Sequence, residues 1–512
     1  MSSDVVVIGA GIAGYSAALR LRQAGARVTL LTKGMGGLSL STGNLDVLGR
    51  LGGVAGPAGP GAGGEAERWQ RRAVTHPYAA IAQDGLLPEG HPYRVIGAQR
   101  TAAAVSGLCA LVGPELLSPR AHEDPAGPQN LWLPTALGAV RPSLVVQPTM
   151  TASALRPGGS YLVVGLARLK DLNAELVAAN LSRSELPEGG QVQARAVTID
   201  FQARSGEADT NAVGHARALD TPAGRERLAQ ALAGQVRPGE TVLLPAVLGL
   251  ERPGACQELA ERLGAPVGEI PLVPPSVPGL RLEHHLERLA VAQRVRVVMG
   301  GRVVASRRER GRLVSVTSAA SGRAREHHAA AFVLAAGGFE SGALAMDSHG
   351  QVTETVLGLP LAGVSPDPAE NLRRLIHRDY WGMPQGVFRV GVAVDSQMRP
   401  LGPDGEPALE GVYAAGSVLA GAVRWAEMSG EGIALGSAWA AADAVLAGLG
   451  HGGQPASQPS SAARPGQEAA ADLDVARPAT AGSRPSRIAG ATAQDRADVV
   501  GTPAERDPKE QH

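Results

Sequence analysis

Asp4-Val5-Val6-Val7-Ile8-Gly9-Ala10-Gly11-Ile12-Ala13-Gly14 joins a short β-branched run directly to a glycine turn, within the first fourteen positions of the chain. A periodic segment follows from Ala13 to Ala24, with Leu19 and Leu21 among its apolar residues, and then a second short apolar run from Arg27 to Leu31. Strand, glycine turn, helix and strand make a βαβ unit of roughly thirty residues. In that setting the GxGxxG pattern carries a mechanism. Gly9 permits a sharp turn, Gly11 lets the backbone approach a phosphate, and Gly14 allows the helix to pack close to the strand. The free N–H groups and the dipole of the helix N-terminus then attract the phosphate.

A dinucleotide site normally ends its second strand in Asp or Glu, which accepts hydrogen bonds from ribose hydroxyls. Here that strand ends Leu30-Leu31-Thr32-Lys33, so Thr32 stands where the acid is expected, 18 positions after Gly14. A threonine hydroxyl can still bond a ribose, but the charge-assisted bond is missing and Lys33 adds a positive charge. Either the adenosine half is held differently, or Lys33 faces a phosphate and the ligand is a mononucleotide such as FMN. The next stretch, Gly34-Met35-Gly36-Gly37-Leu38-Ser39-Leu40-Ser41-Thr42-Gly43-Asn44, offers the small residues and hydroxyls that a flavin ring and phosphate need. Gly34, Ser41, Thr42 and Gly43 are therefore expected at the cofactor.

Two further glycine turns follow buried runs. Ala335-Ala336-Gly337-Gly338-Phe339 ends the strand-like run Ala331 to Ala336, and Gly411-Val412-Tyr413-Ala414-Ala415-Gly416-Ser417 ends the run Val412 to Ala415. The latter resembles the late motif of two-motif flavoproteins, in which Gly-Asp meets the flavin's sugar-phosphate chain; Ser417 replaces that Asp. Ser429-Gly430-Glu431-Gly432-Ile433 opens a final apolar helix whose N–H groups, those of Gly432 and Ile433 included, are placed to face the flavin's pyrimidine end. Gly337 and Gly416 complete the set. The fold class expected is α/β: a two-motif flavoprotein with a Rossmann-like parallel sheet and an antiparallel excursion, carrying an inserted α+β domain and a disordered C-terminal tail.

The organisation follows from composition. Residues 1–75 and 276–341 read as the first two parts of a flavin-binding domain and 401–450 as its last part. Residues 76–275 and 342–400 read as an inserted substrate or partner domain. The segment from Gly52 to Gly64 has no periodicity and reads as a loop. Leu280 to Ala292 has helical spacing and leads into the strand Arg296 to Met299, with antiparallel runs from Arg302 to Val316. Residues 451–512 have almost no large apolar groups, so burial cannot offset their ordering entropy and they read as disordered. Hydrophobic residues are 44% of the chain and aromatics 3%, which predicts a core of Ala, Val and Leu.

Charge and thiol content exclude several function classes. Lys plus Arg and Asp plus Glu each number 48, so no net field draws the protein to nucleic acid or an anionic bilayer. Cys109 and Cys256 are the only cysteines, too few for an iron–sulfur cluster or another thiolate metal site and consistent with a reducing compartment. No basic n-region precedes Val5, which argues against a signal peptide. Ile433 to Gly450 is long enough to span a bilayer, but its Ala, Gly and Ser content and Asp443 favour a buried helix over a transmembrane segment.

Several motifs together resemble one family. Thr32-Lys33-Gly34, Leu40-Ser41-Thr42-Gly43-Asn44-Leu45-Asp46, His76-Pro77-Tyr78, Leu133-Pro134-Thr135-Ala136-Leu137-Gly138, Leu244-Pro245-Ala246-Val247-Leu248-Gly249-Leu250 and Gly416-Ser417-Val418-Leu419-Ala420-Gly421 are similar to the B subunits of the anaerobic sn-glycerol-3-phosphate dehydrogenases. The resemblance covers about residues 1 to 447. It implies a flavoprotein, usually assigned FMN with FAD as the alternative, that works with an FAD-bearing A subunit and a cysteine-rich iron–sulfur C subunit at the cytoplasmic face of the cell membrane. The implied reaction oxidises the small-molecule substrate glycerol 3-phosphate to dihydroxyacetone phosphate, with electrons passed to quinone in anaerobic respiration. A chain without clusters of its own must hand electrons to a partner.

Oxidising a secondary alcohol with a flavin needs a base for the hydroxyl proton and a cationic pocket for the substrate phosphate. His76, in a loop beside Pro77, is the leading histidine, while His284 and His285 sit on the expected helix with ordinary structural roles. Arg141 and Lys170, in loop-like segments, are candidates for the phosphate. The catalytic residue itself stays open. Two other readings stand beside the first: a non-catalytic assembly role in the same complex, and a stand-alone FAD oxidoreductase of fumarate reductase type.

Overall fold

In the computed structural model the opening run forms strand Val5–Ile8 at the centre of a five-stranded sheet. The structure describes residues 3–450 apart from 53–71, 119–126, 253, 321 and 380–384. The expected Gly52–Gly64 loop, from 53 on, and the tail 451–512 lie outside the described residues. Across the sheet the strands run Arg296–Met299, Val28–Thr32, Val5–Ile8, Ala331–Leu334 and Val412–Ala414, all parallel. Val5, Val6 and Val7 are wholly buried, as are Phe332 and Val333 opposite them. Burial on both faces explains why these strands read as unbroken apolar runs rather than alternating ones.

Helix Ile12–Gln23 follows the first turn, and helix Gly430–Gly448 lies against it. The contact is close because more than half of the last helix is Ala or Gly. Trp439 is its largest side chain: its Nε1–H donates to Ser16 Oγ at 3.0 Å, and Arg20 lies 4.5 Å from its ring centroid. The same indole is why position 107, in helix Ala98–Val112, is glycine: a Cβ there would come within 1.9 Å of the ring. The apolar stretch from Ile433 is thus consumed by protein contacts, and among the described residues no helix is long and apolar enough to cross a membrane.

The expected antiparallel excursion is present as strands Arg302–Glu309, Arg312–Ala320 and Arg323–His328. It runs past Val316 to His328. The third strand is mostly solvent-exposed and charged, so it carries no apolar period by which to be read.

Residues 76–275 and 342–400 hold antiparallel hairpins, among them Leu131–Pro134 with Val140–Ser143, and a second sheet. That sheet is four-stranded and parallel, in the order Val267–Ile270, Thr241–Pro245, Ser160–Leu166, Gln193–Ile199, with its own core of Val163, Leu243, Leu259 and neighbours. One buried ion pair ties it to the helix that feeds the first sheet. Arg281, in helix Val277–Ala292, bonds both carboxylate oxygens of Glu269 at 2.7 and 2.9 Å, and Glu269 also accepts the N–H of Leu248 at 2.6 Å.

Candidate functional site

A cavity of about 540 Å³ opens beyond the carboxyl ends of the five parallel strands, where the glycine turns converge. The first turn shows two kinds of glycine. Gly9 has φ +113° and a Cβ on it would meet the carbonyl oxygen of Ala335 at 2.1 Å; a Cβ on Gly14 would meet that of Gly9 at 1.8 Å. Both are required by packing. Gly11 has no atom within 4 Å of an added Cβ and lines the cavity, so its bare Cα leaves room for a ligand. No side chain caps the helix beginning at Ile12, which leaves its first amides free to bind an anion. These features fit a phosphate.

At the end of the second strand, Thr32 lines the cavity, but its hydroxyl donates to the carbonyl of Gly34 at 2.6 Å and closes its own turn. The Lys33 ammonium donates to the carbonyl of Ser341, linking the second strand to the turn after Gly337. Gly301, Arg302 and Val303 also line the cavity, and the N–H of Gly301 donates to Thr32 O at 2.8 Å. Gly34 shapes the turn without lining the cavity.

Ser41 lines the cavity as well, while its hydroxyl donates to Leu38 O at 2.9 Å and accepts the N–H of Gly43 at 3.1 Å. Thr42 and Gly43 stand behind that wall; a Cβ on Gly43 would strike Pro278 at 2.5 Å. Gly337, Gly416 and Ser417 line the cavity, and the N–H of Gly416 donates to Ser437 Oγ at 2.9 Å. Gly432 and Ile433 do not line it: Gly432 donates to Asp46 O at 2.9 Å and Ile433 is buried.

The structure places none of the histidine candidates at this cavity. His76 precedes the short helix Pro77–Ala82, with Nδ1 3.3 Å from Gly127 O. His284 pairs with Glu251 at 2.9 Å, and His285 lies beside a separate small pocket with Arg288. Lys170 is exposed and pairs with Asp209 at 2.7 Å. Arg141 is in a strand rather than a loop, and its guanidinium is held by Asp46, which also accepts the Ser143 hydroxyl at 2.7 Å.

Three charged residues that the motif reading passed over sit here instead. Glu340 and Glu431 line the cavity; Arg424 does not, but it lies beside Trp425 and Glu340, which do, with a terminal nitrogen 3.2 Å from where a Cβ of Gly338 would lie. The Arg424 guanidinium makes no hydrogen bond among the described residues; its nearest carboxylate oxygen, on Glu340, is 3.9 Å away. Burial pulls its pKa below the usual arginine range, against the attraction of Glu340 and Glu427. Glu427 is unavailable to it because its carboxylate already accepts from His91 Nε2, the N–H of Val423 and the Ser429 hydroxyl, at 3.1, 3.0 and 3.0 Å. The Tyr93 N–H donates to His91 Nδ1 at 3.2 Å and so fixes which ring nitrogen carries the proton. The only sequence signal for Arg424 and Glu431 is a charge set among small residues near the last glycine turn, which does not by itself mark a site.

Comparison with known proteins gives the fold a lineage. The FAD binding domain family matches residues 4–433. The B subunit of the anaerobic glycerol-3-phosphate dehydrogenase of Pectobacterium carotovorum subsp. carotovorum (strain PC1) is 30% identical over 460 residues, 87% of this chain and 99% of that protein. The probable B subunit from Halobacterium salinarum (strain ATCC 29341 / DSM 671 / R1) is 31% identical over 457 residues, 87% of this chain and 98% of that protein. Among solved structures, 3-ketosteroid delta1-dehydrogenase from Sterolibacterium denitrificans has a TM-score of 0.39 at 12% identity, covering 87% of this chain and 100% of that one. A flavocytochrome c3 fumarate reductase has a TM-score of 0.36 at 12% identity, covering 87% of this chain and 78% of that one. With the glycine turns, the open helix N-terminus and this extent of sequence kinship together, the chain belongs to the FAD-binding-domain flavoproteins and, among them, to the family of anaerobic glycerol-3-phosphate dehydrogenase B subunits.

Proposed function

We propose that this chain is the flavin-bearing B subunit of a complex that oxidises sn-glycerol 3-phosphate to dihydroxyacetone phosphate and passes the electrons toward quinone. The observation that carries the reading is a mostly buried cation, Arg424, with no hydrogen bond among the described residues and only a 3.9 Å pairing to Glu340, which lines a cavity already built to take a phosphate at Gly11. The cavity turn suits the cofactor's phosphate and Arg424 the substrate's. The bound flavin would accept the hydride. This chain's residues bind, orient and exclude water: the open amides after Gly11 hold phosphate, and Ser41, Gly337, Gly416 and Ser417 form the walls.

FAD suits the cavity better than the FMN expected from the missing acid at Thr32. The cavity is lined by Thr32, Gly301 and Val303 as well as by Ser41, Glu431 and Ala434, and the family match is to FAD binding domains. Since Thr32 bonds its own turn, the ribose would be met by other groups, with Arg302 nearest at hand. The expected domain division draws support from the same lining. Among the described residues it comes from 1–75, 276–341 and 401–450, with Gly342, Ala343, Thr355 and Val356 from 342–400 and none from 76–275. Helix Ala98–Val112 packs into the core of the first sheet, which leaves the part of 76–275 around the four-stranded sheet as the face toward the proposed partners, an FAD-bearing A subunit and an iron–sulfur C subunit that would hold the chain at the inner membrane surface.

The test is to release and identify the cofactor of the purified chain, then to add glycerol 3-phosphate anaerobically and follow flavin absorbance. Bound FAD bleached by substrate supports the reading. FMN alone overturns the cofactor assignment. A chain that takes up no flavin even after reconstitution has an assembly role instead.

A further inference from the structure

We infer that Glu431 is the group that takes the substrate's hydroxyl proton during oxidation, a role that rests on the function proposed above. Sequence reasoning looks for a histidine, yet among the described residues no histidine lines the cavity, and the carboxylates that do are Glu340 and Glu431. Glu340 is an unsuitable base: its side chain is 56% exposed, and one oxygen accepts the N–H of Gly338 at 3.2 Å. Glu431 stands in the first turn of helix Gly430–Gly448 and lines the cavity together with Gly430 and Ala434 of the same helix.

Its surroundings determine what it can do. Three charged or titratable groups on other elements face it: Asp46 from the loop after Gly43, Arg141 from strand Val140–Ser143, and Tyr93 from helix Tyr93–Ile96. The Asp46 side chain is only 3% exposed and takes the Arg141 guanidinium and the Ser143 hydroxyl for itself. Glu431 is left with backbone N–H donors, its own and that of Asp46. Two carboxylates therefore share one guanidinium, and they cannot both ionise cheaply. Burial, then the Asp46 charge, push the Glu431 carboxyl up to about 7, and Arg141 pulls back only in part. A carboxylate poised there exchanges protons near neutral pH, which general-base work requires.

The step balances as follows. The O–H bond of the substrate breaks and its proton goes to a Glu431 oxygen. The carbinol C–H breaks and leaves as hydride, carrying two electrons to oxidised flavin, and the C–O bond becomes a carbonyl. Glu431 afterwards releases its proton to solvent.

The experiment compares the full chain, reconstituted with FAD, as wild type, Glu431→Gln and Glu431→Asp. The first readout needs no turnover: infrared difference spectra across the neutral range should show a carboxyl carbonyl band that titrates in wild type and is absent from Glu431→Gln. The second is single-turnover flavin reduction by glycerol 3-phosphate. Its rate should rise with pH through about 7 in wild type. Glu431→Gln should be slower by roughly 10²–10⁴-fold and lose that pH limb, whereas Glu431→Asp should keep the limb. A band that survives in Glu431→Gln, or a variant that keeps both rate and limb, overturns the assignment of Glu431 alone. Wild-type chain that holds FAD and shows the band but is not reduced overturns the substrate reading, and the base role with it.

Discussion

Gly11 and Gly14 belong to one turn but answer to different constraints, and alanine at each separates folding from binding. Gly14→Ala would press a methyl against the Gly9 carbonyl, 1.8 Å from where its Cβ must sit, so the first helix has to shift. A cost of about 1–3 kcal/mol is expected in chemical denaturation, with flavin binding lost as well. Gly11→Ala meets nothing in the protein, so the stability of the flavin-free chain should change by no more than about 1 kcal/mol. Its methyl would instead occupy the phosphate's approach, and fluorescence titration should show weakened flavin affinity. Arg424→Gln is the corresponding test for the substrate. Loss of a charge-assisted contact of about 1.5–3 kcal/mol should raise KM for glycerol 3-phosphate by roughly 10- to 100-fold while flavin affinity is unchanged. The glycines could be read from sequence because they fall at fixed spacing within one strand–turn–helix motif. Arg424 and Glu431 could not, since a charge near a glycine turn becomes a site residue only through the neighbours that strands and helices distant in sequence bring to it.

At the scale of elements, the pair Glu269–Arg281 joins strand Val267–Ile270 of the four-stranded sheet to helix Val277–Ala292, which leads into the five-stranded one. Both side chains are almost wholly buried, and Arg281 also reaches Gly249 O at 2.7 Å and Thr149 Oγ1 at 3.2 Å. Glu269→Ala would strand a guanidinium in the core and take the acceptor from the Leu248 N–H. A loss of about 3–5 kcal/mol is expected in urea unfolding, and adding Arg281→Met should recover much of it, because removing both charges leaves nothing unpaired. An equal loss in the single and double variants would show that the pair is not the coupling. The helix containing Arg281 was legible from Leu282, Leu286 and Ala290, which are all buried on one side. Its partner was not: Glu269 in a four-residue strand of otherwise small and apolar residues gives no period that points to Arg281.

For the whole molecule, stability should depend on pH through buried histidines. His215 is completely buried against Phe201, and neither ring nitrogen finds a hydrogen-bond partner among the described residues. Burial pulls its pKa below the usual histidine value, against the opposing charges of Glu207 and Asp209, and burial likewise lowers His285 and His327. The unfolded chain therefore binds protons below about pH 6.5 that the folded chain refuses, so stability is intact above that pH and falls as pH drops through it. Thermal midpoints measured across a pH series should show this decline, and His215→Leu should flatten it. An unchanged slope would mean that His215 is not the group responsible. Flavin should act in the opposite direction: ligand at a hundred times its Kd adds about 2.7 kcal/mol, visible as a raised midpoint. What the sequence determined alone was the parallel sheet, its three glycine turns and the buried final helix, because these follow from short apolar runs, from Gly at the strand ends, and from one long, nearly uncharged run rich in Ala and Gly. Tertiary structure alone decided which charges meet. Asp46, Arg141 and Glu431 are far apart along the chain, and the electrostatic work of burying them together depends on distances that no one-dimensional pattern contains.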